Sequence, residues 1–501
     1  MDAPLLPDPV TDRLAEALDA AGFRYDAVAG LLGPLAHAAL SRNETTPAMR
    51  ATTGGSPLET LTRLWPLQAP VDVDAVERAL PGLLDPLCVA GVLERSVGSV
   101  RARLDVRPYA DEDHDWWVVS DLTPGLDGTG TRQVSDHVLG ISSASSSLAQ
   151  LTVRRPVGRA LDLGTGCGVQ GLHLAAHARH VVATDVNRRA LAVTRLNARL
   201  NGVTLDVREG SLYEPVRREE FDLVVTNPPF VVSPATGERL VYRDSGFPGD
   251  EMVRRVVTGA AEHLAPGGVA QVLANWVHED GLPWEDRVRG WLGDDLDAWV
   301  VQREVLDPAQ YVELWLRDAG HDRSADYTSR YDAWLRWFEE QRVTAIGMGW
   351  LALRRTAGAG RTPVVRLEDW PYDVEQPLGT EIADWLDRVE LLAGLDDAAL
   401  LAGTWRTRAD VRQETLGPPG APDPEAIVLR QQRGFRRARH VDTVEAALVG
   451  ASDGDLPAGR LLEAIGELLG QPVDVAAGAA TVRGLVTDGF LVRPSTAHVA
   501  P

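Results

Sequence analysis

The sequence contains no lysine. All 50 of its cationic side chains are arginines, set against 72 Asp and Glu, for a formal net charge of −22. A skew that complete reflects proteome-wide composition rather than selection for a local partner. The net charge argues against a protein that coats nucleic acid by bulk electrostatics, because phosphate binding needs positive potential. Local basic patches therefore matter more than the total. Cysteine is nearly absent too: Cys88 and Cys167 are the only two, and without a secretory signal the expectation is two reduced thiols, neither bridged nor holding metal. No apolar run approaches the roughly 18 residues of a membrane span. The opening MDAPLLPDPV has neither the basic nor the apolar region of a signal peptide, so the chain reads as cytoplasmic with no membrane partner. At 501 residues it exceeds the usual size of a single core, and two to three domains are expected.

What is present centres on FDLVVTNPPF, from Phe221 to Phe230. Leu223-Val224-Val225, bounded by turn residues, reads as a buried strand of a parallel sheet. Pro228 and Pro229 end it, since each fixes its own φ and lacks an N–H; the backbone beyond Thr226 is stiff and its carbonyls are left to accept. Asn227 adds a side-chain acceptor and Phe230 a flat apolar face. Together they can grip a planar –NH2 group through both hydrogens and stack on its π system.

The second signal is ALDLGTGCGVQG, from Ala160 to Gly171. A strand ends at Asp162-Leu163, Gly164, Gly166 and Gly168 allow a tight turn and close backbone approach, and a helix opens at Val169 with its positive end toward the loop. Asp185 ends the next strand about twenty residues on, placed to accept from ribose hydroxyls. This much suits a dinucleotide or an adenosyl-methionine cofactor. The Asn227 corner decides for the methyl donor, because strands one and four are neighbours in the usual doubly wound order and the two loops then share one cleft. No histidine or tyrosine is marked out as a hydride-transfer acid.

DLGTGCG, ATDVNRRAL and VVTNPPF resemble the motifs of class I S-adenosylmethionine-dependent methyltransferases, in the subgroup whose (N/D)PP(Y/F) motif methylates planar nitrogens. GSLYEPV and a DxGxxGD-like loop from Asp244 to Asp250 resemble HemK-type release-factor glutamine methyltransferases. A terminal phenylalanine is shared with the methyltransferase small domain enzymes that modify guanine amines of ribosomal RNA. The resemblance covers roughly Gln133 to Arg355. It implies S-adenosyl-L-methionine as cofactor, with Asp162, Gly164, Gly166 and Gly168 lining its methionine and ribose part, Asp185 and Val186 at the ribose, and Ser211-Leu212 bordering adenine. The family commonly has an acid where this chain has Ser211, so one charge-assisted acceptor is missing there. The implied reaction is direct transfer, with Asn227 and the Pro228 carbonyl holding the amine and Phe230 stacked on it. A cofactor-binding regulator without catalysis is the third reading, and it requires a blocked corner, whereas Asn227 to Phe230 is intact.

The expected fold is α/β: a central seven-stranded doubly wound, Rossmann-like class I methyltransferase sheet over 126–357, a mainly helical N-terminal domain over 1–125, and an α+β accessory domain over 358–501. Strands are expected at Arg159 to Leu163, Val181 to Asp185, Thr204 to Glu209, Phe221 to Thr226, Val269 to Asn275, Ala298 to Arg303 and Ala345 to Leu353. A long helical stretch, Tyr311 to Glu340, divides the last two into an antiparallel edge pair. In the N-terminal part the spacing of Leu14, Ala17, Leu18 and Ala21, and of Val28, Leu31, Leu32 and Leu35, predicts two helices. Ser41 to Ser56 reads as a loop. Three short helices then precede two strands, VRARLDVRPY and DWWVVSDL, an order open to a winged-helix module or a helical cap; the C-terminal ATVRGLVTDGFLVRP echoes it. The densest basic run, with Arg430, Arg433, Arg436, Arg437 and Arg439 around Phe435, suits either RNA phosphates or a solvated helix face. Ser142 to Ser147 reads as a helix cap, and His173 and His180 as structural. The partner is a macromolecule, a release-factor-like protein or ribosomal RNA.

Overall fold

Proline and glycine set the phase of the first layer. The computed structural model describes residues 4–123, 126, 136–234, 246–320, 324–358, 361–419, 424–470 and 474–494. The chain divides into two compact units, Met1–Ala149 with Arg155–Ala357, and Gln150–Arg154 with Gly358–Pro501. In the first unit, helix Asp8–Ala20 buries Leu14 and Leu18 completely. Helix Tyr25–Leu40 is kinked where Gly33 takes φ 70° ahead of Pro34. The kink rotates the following turn, so Ala36 and Ala39 are buried and Leu35 is 74% exposed, against the heptad-like expectation. The segment read as a loop over Ser41 to Ser56 holds a short helix, Thr46–Ala51, started by Pro47.

Helix Pro57–Leu64 begins in a capping box between Ser56 and Glu59. Asp72 caps helix Val73–Ala79 by accepting from the backbone of Asp74 and Ala75. Helix Leu84–Val89 follows. The run VRARLDVRPY is two strands rather than one. It breaks at Arg103, whose N–H goes to the Val92 carbonyl. Ser99–Ala102 pairs with Leu93–Ser96 and with Val71–Asp72, while Leu104–Ala110 pairs with Asp115–Asp121.

The large sheet is built from β1 (Val157–Leu163), α1 (Val169–Ala175), β2 (Ala178–Asp185), α2 (Arg188–Leu200), β3 (Asp206–Glu209) and β4 (Phe221–Thr226). It continues through α3 (Glu251–His263), β5 (Leu264–Glu279), α4 (Trp284–Arg289), β6 (Leu296–Leu306), α5 (Pro308–Asp318), α6 (Tyr327–Glu340) and β7 (Val343–Arg355). Within this unit the strands run in the order β3-β2-β1-β4-β5-β7-β6. β1 to β5 are mutually parallel where they pair, and β7 runs antiparallel to both β5 and β6. The near-continuous Val, Leu and Ala of β1, β2 and β4 are buried, as strands covered on both faces require. Among the described residues no helix is long and apolar enough to cross a membrane.

Asparagine side chains join the N-terminal layer to this sheet. Asn197 of α2 accepts from the Val119 N–H at 2.7 Å and donates to the carbonyls of Val119 at 2.9 Å and Cys167 at 2.7 Å. Asn201, one turn on, makes the same reciprocal pair with Trp117. The Trp117 indole N–H donates to the Phe23 carbonyl, and Leu196 and Leu200 share one core with Leu14, Leu18, Trp65 and Trp117.

In the second unit helix Gly379–Ala393 accompanies a meander of Val411–Leu416, Ala426–Gln431 and Ala438–Val441. Helix Thr443–Ala451, strand Asp453–Pro457, helices Ala458–Leu469 and Val475–Thr487, and strand Leu491–Val492 follow in sequence. The earlier strand Thr404–Thr407 lies between the last two strands. The N-terminal module has the same succession, helix, strand, helix, helix, strand, except that its central strand, Ser99–Ala102, comes last in the sequence rather than first.

Asn197 is completely buried, and its removal strands three backbone groups at about 1 kcal/mol or more each. Asn197→Ala should destabilise the chain by about 3 kcal/mol and lower the midpoint of thermal unfolding by several degrees, with Asn201→Ala milder. Differential scanning calorimetry of the two variants checks the order.

Candidate functional site

Register brings the two sequence signals together. In the β1–β4 pair Leu163 lies opposite Thr226, and in the β1–β2 pair Leu163 lies opposite Thr184, so the three strands stop level at one edge. The buried Thr226 hydroxyl donates to the Leu163 carbonyl at 2.7 Å, locking the strand end before Asn227 to the strand end before Gly164.

The glycine loop is held from behind by backbone and buried side chains. Gly164 and Thr165 donate their N–H groups to the Thr184 carbonyl, and Gly166 donates to the Asp185 carboxylate at 3.0 Å. Gly164, Gly166 and Gly168 have φ of 76°, 57° and 84°, a region closed to most side chains. A Cβ on Gly168 would stand 3.0 Å from Thr194, whereas one on Gly164 or Gly166 would meet nothing within 4 Å. The first two glycines thus border open space on the side away from the protein. Asp162 is 1% exposed, and its Oδ2 accepts from the Thr165 hydroxyl at 2.6 Å and the Gly171 N–H at 2.9 Å. Burial pushes its carboxyl up to about 7. Asp162 ties the two ends of the turn together.

Asp185 accepts on each oxygen from one backbone N–H, Gly166 on one and Asn187 on the other, and burial raises its carboxyl above the usual carboxylate range. A desolvated carboxylate with lone pairs to spare is suited to hydroxyl donors. Val186, the next residue, is 65% exposed, an apolar face at the same rim. Gly210 donates to the Asp185 carbonyl, so the turn of Ser211 and Leu212 closes beside it, with Leu212 at φ 48°. The sequence-predicted residues Asp162, Gly164, Gly166, Gly168, Asp185, Val186, Ser211 and Leu212 therefore form one connected rim.

Across it lies the corner. The Oδ1 of Asn227 is buried and has no hydrogen-bond partner among the described residues. Pro228 is buried, while Pro229 and Phe230 are partly exposed. Phe230 meets Trp315 of α5 edge-on at 6.2 Å. Tyr311, on the same helix and fully buried, accepts from the Val232 N–H and from Asn275 Nδ2, both at 2.9 Å. Neither Asn197, which holds the Cys167 carbonyl of the loop, nor Tyr311 was marked by any motif; each is an ordinary helix residue in sequence.

Other readings are placed as follows. Asp244 lies outside the described residues. Asp250, at the end of that loop, is paired with Arg287 and accepts from the Val277 N–H. Ser142 and Ser145 cap helix Ser143–Leu151 reciprocally. His173 lies buried between Tyr109 and Asp111. The basic run is two strands and a turn, not a helix. Arg430 pairs with Glu414, Arg433 with Glu375, Arg437 with Glu368, and Arg439 with Glu445 and Asp488, while Arg436 occupies the turn at φ 51°. Phe435 is buried and cannot stack on a base.

A family model described as "Methyltransferase small domain" matches residues 140–281, and one described as "Domain of unknown function (DUF7059)" matches residues 20–103. Residues 140–281 are a methyltransferase small domain. The chain is 36% identical over 131 residues to a release factor glutamine methyltransferase of Xylella fastidiosa, 24% of this chain and 47% of that protein. It is 28% identical over 186 residues to ribosomal RNA small subunit methyltransferase C of Citrobacter koseri, 36% of this chain and 49% of that protein. The chain thus spans about half the length of the curated relatives it matches. A solved T. thermophilus 16S rRNA N2 G1207 methyltransferase, in complex with AdoMet and guanosine, aligns at 18% identity and a TM-score of 0.28 over 52% of this chain and 67% of that one.

The residues of this methyltransferase domain fit S-adenosylmethionine on their own geometry: two glycines facing open space and a desolvated carboxylate with acceptor capacity. Asp162 gives the domain a pH signature. Its folded-state pKa of about 7 lies above the ordinary 3.8, so the native state binds more protons than the unfolded one between those values. That contribution to stability is present below about pH 4 and is lost as pH rises through 7. Asp162→Asn keeps an oxygen acceptor and should remove this slope. The difference in unfolding temperature between variant and parent, followed from pH 4 to 8, checks it.

Proposed function

We propose that the chain is an N-methyltransferase that acts on a planar amine held at Asn227 to Phe230, and that the preferred acceptor is a glutamine amide of a protein. The observation that carries the reading is the Asn227 Oδ1, a buried acceptor without a donor among the described residues, at the strand end that faces the glycine loop. Leaving such an atom unpaired costs about 1–3 kcal/mol, which an incoming N–H recovers. In this reading Asp185 accepts from the ribose hydroxyls, Gly164 and Gly166 give the methionine part close approach to the backbone, and Val186 with Ser211-Leu212 borders the adenine. S-adenosylmethionine supplies an electrophilic methyl group when bound.

The chain's own contribution is positional. Asn227 Oδ1 and the Pro228 carbonyl each accept one hydrogen of the –NH2 group, which turns the nitrogen lone pair out of conjugation and toward the cleft. Phe230 covers the flat side of the acceptor. The rigid proline pair holds both acceptors in one orientation, and orientation of this kind is worth on the order of several kcal/mol in a displacement. No strong base is required, because the proton released from nitrogen can pass to water.

The protein reading is supported by the release-factor-methylating relatives and by the acidic surface. The pairing of the Arg430, Arg433, Arg437 and Arg439 guanidiniums with the chain's own carboxylates withdraws the main support for an RNA contact there. A ribosomal RNA base amine is the second reading, favoured by the longer alignment to the ribosomal RNA methyltransferase. In this reading the chain works on a release-factor-like protein, or on ribosomal RNA, in the cytoplasm.

Asn227→Ala should abolish methyl transfer while leaving S-adenosylmethionine affinity, measured by calorimetry, nearly unchanged; Asp185→Asn should do the reverse, weakening that affinity by about tenfold or more. Full activity in the Asn227 variant sinks the assignment. Cell extract incubated with enzyme and radioactive methyl donor should carry label that survives ribonuclease and is lost to protease. A ribonuclease-sensitive label overturns the protein acceptor.

A further inference from the structure

The chain between β6 and β7 leaves and returns at the edge of the sheet where the corner lies. Val277 of β5 and Leu306 of β6 both stand opposite Ile346 of β7, beyond the level at which Val272 of β5 faces Thr226 of β4. Helices α5 and α6 fill this insertion, and they are fastened to the residues that follow Asn227. The Tyr311 hydroxyl accepts from the Val232 N–H, Trp315 meets the Phe230 ring, and a Cβ on Gly249 would lie 3.6 Å from the Trp337 ring. α5 and α6 therefore form one wall of the cleft, continuous with the face that covers the acceptor.

We infer that this helical pair is the acceptor-binding element, and that it takes a polypeptide with basic side chains next to the target amide. The inference rests on the reading of Asn227 to Phe230 as the acceptor site. Beyond its buried apolar side the pair is acidic. Glu313, Asp332, Glu339 and Glu340 are exposed, with Arg317 and Arg336 as the exposed cations of the two helices. Arg330 is paired with Asp326. The half-buried Tyr331 donates to Glu313 at 3.2 Å, joining the two helices, and Leu314 beside it is 37% exposed. An acidic surface with apolar and phenolic patches attracts arginine and lysine side chains, whose stems lie on apolar surface while their heads meet carboxylates. A phosphate backbone brought to the same wall would be repelled.

The test uses the full chain with S-adenosylhomocysteine bound and fluorescein-labelled probes read by anisotropy. The probes are a short peptide with a central glutamine flanked by arginines, the same peptide flanked by glutamates, and a single-stranded RNA of similar length. At low salt the basic peptide should bind about tenfold or more tighter than either of the others, with the preference fading as salt rises. In the double variant Glu313→Gln, Asp332→Asn its affinity should fall by about threefold to tenfold, while S-adenosylhomocysteine affinity and unfolding temperature stay those of the parent. The amide oxygen introduced by Glu313→Gln can still accept from the Tyr331 hydroxyl, so the helix pair is preserved. Tighter binding of RNA, or a basic peptide held equally by parent and variant, overturns the inference. Methyl transfer by the Asn227→Ala variant would instead remove the reading beneath it, whatever the peptides do.

Discussion

One buried hydrogen bond, from the Thr226 hydroxyl to the Leu163 carbonyl, fixes the distance between the two halves of the site. Parallel strands can slide only in steps that carry every side chain to new neighbours, so the register Leu163 to Thr226 is specified by the apolar runs on both strands. The hydroxyl then caps that register at the point where both ladders end. Everything downstream inherits its position from this level edge: the glycine turn on one side, the proline corner on the other, and the Asp185 rim beyond.

Support for the edge comes from groups that take no part in chemistry. Asp162 closes the glycine turn from beneath and is desolvated there, a cost that its two hydrogen bonds offset only in part. Asn197 clamps the Cys167 carbonyl and at the same time pairs with the backbone of Val119, so the N-terminal layer stiffens the loop through this amide as well as through the packing of Trp116 and Val118 on Cys167 and Val169. Tyr311 does the same for the far side of the corner. The cleft is open beside Gly164 and Gly166, and hydrogen bonds hold its loops from behind, the usual arrangement of a preorganised site.

The arginine-only composition has a structural consequence as well. Guanidiniums form bidentate pairs with carboxylates in fixed planes. Arg287 with Asp250, Arg437 with Glu368 and Arg430 with Glu414 are of this kind. A cluster that looks cationic in sequence can therefore be largely compensated in the fold, as it is at Arg430, Arg433, Arg437 and Arg439 around Phe435. Linear charge density is a guide to electrostatics only when the partners are also local.

Much of the fold was legible because its signals are short-range. Hydrophobic runs of five to six residues ending before Gly164 and before Asn227-Pro228 gave β1 and β4 with their ends nearly correct, β2 was read with its end at Asp185 but its start three residues late, and Asp72 was readable as a cap because capping involves only the next three residues. The kink at Gly33 and the helix over Thr46–Ala51 were not read, although Pro34 and Pro47 are local signals for them, and the break at Arg103 was not legible because it depends on the Val92 carbonyl that its N–H finds. By itself the sequence determined the residue types of the site, the glycines that alone tolerate φ above zero and the asparagine and prolines that end a strand in acceptors, because those are properties of single residues and their immediate neighbours. Only the tertiary structure decided that Asn227 Oδ1 has no partner among the described residues, that Asn197 and Tyr311 hold the two loops, and that Arg430, Arg433, Arg437 and Arg439 face carboxylates, because each of those facts is set by packing between separate elements.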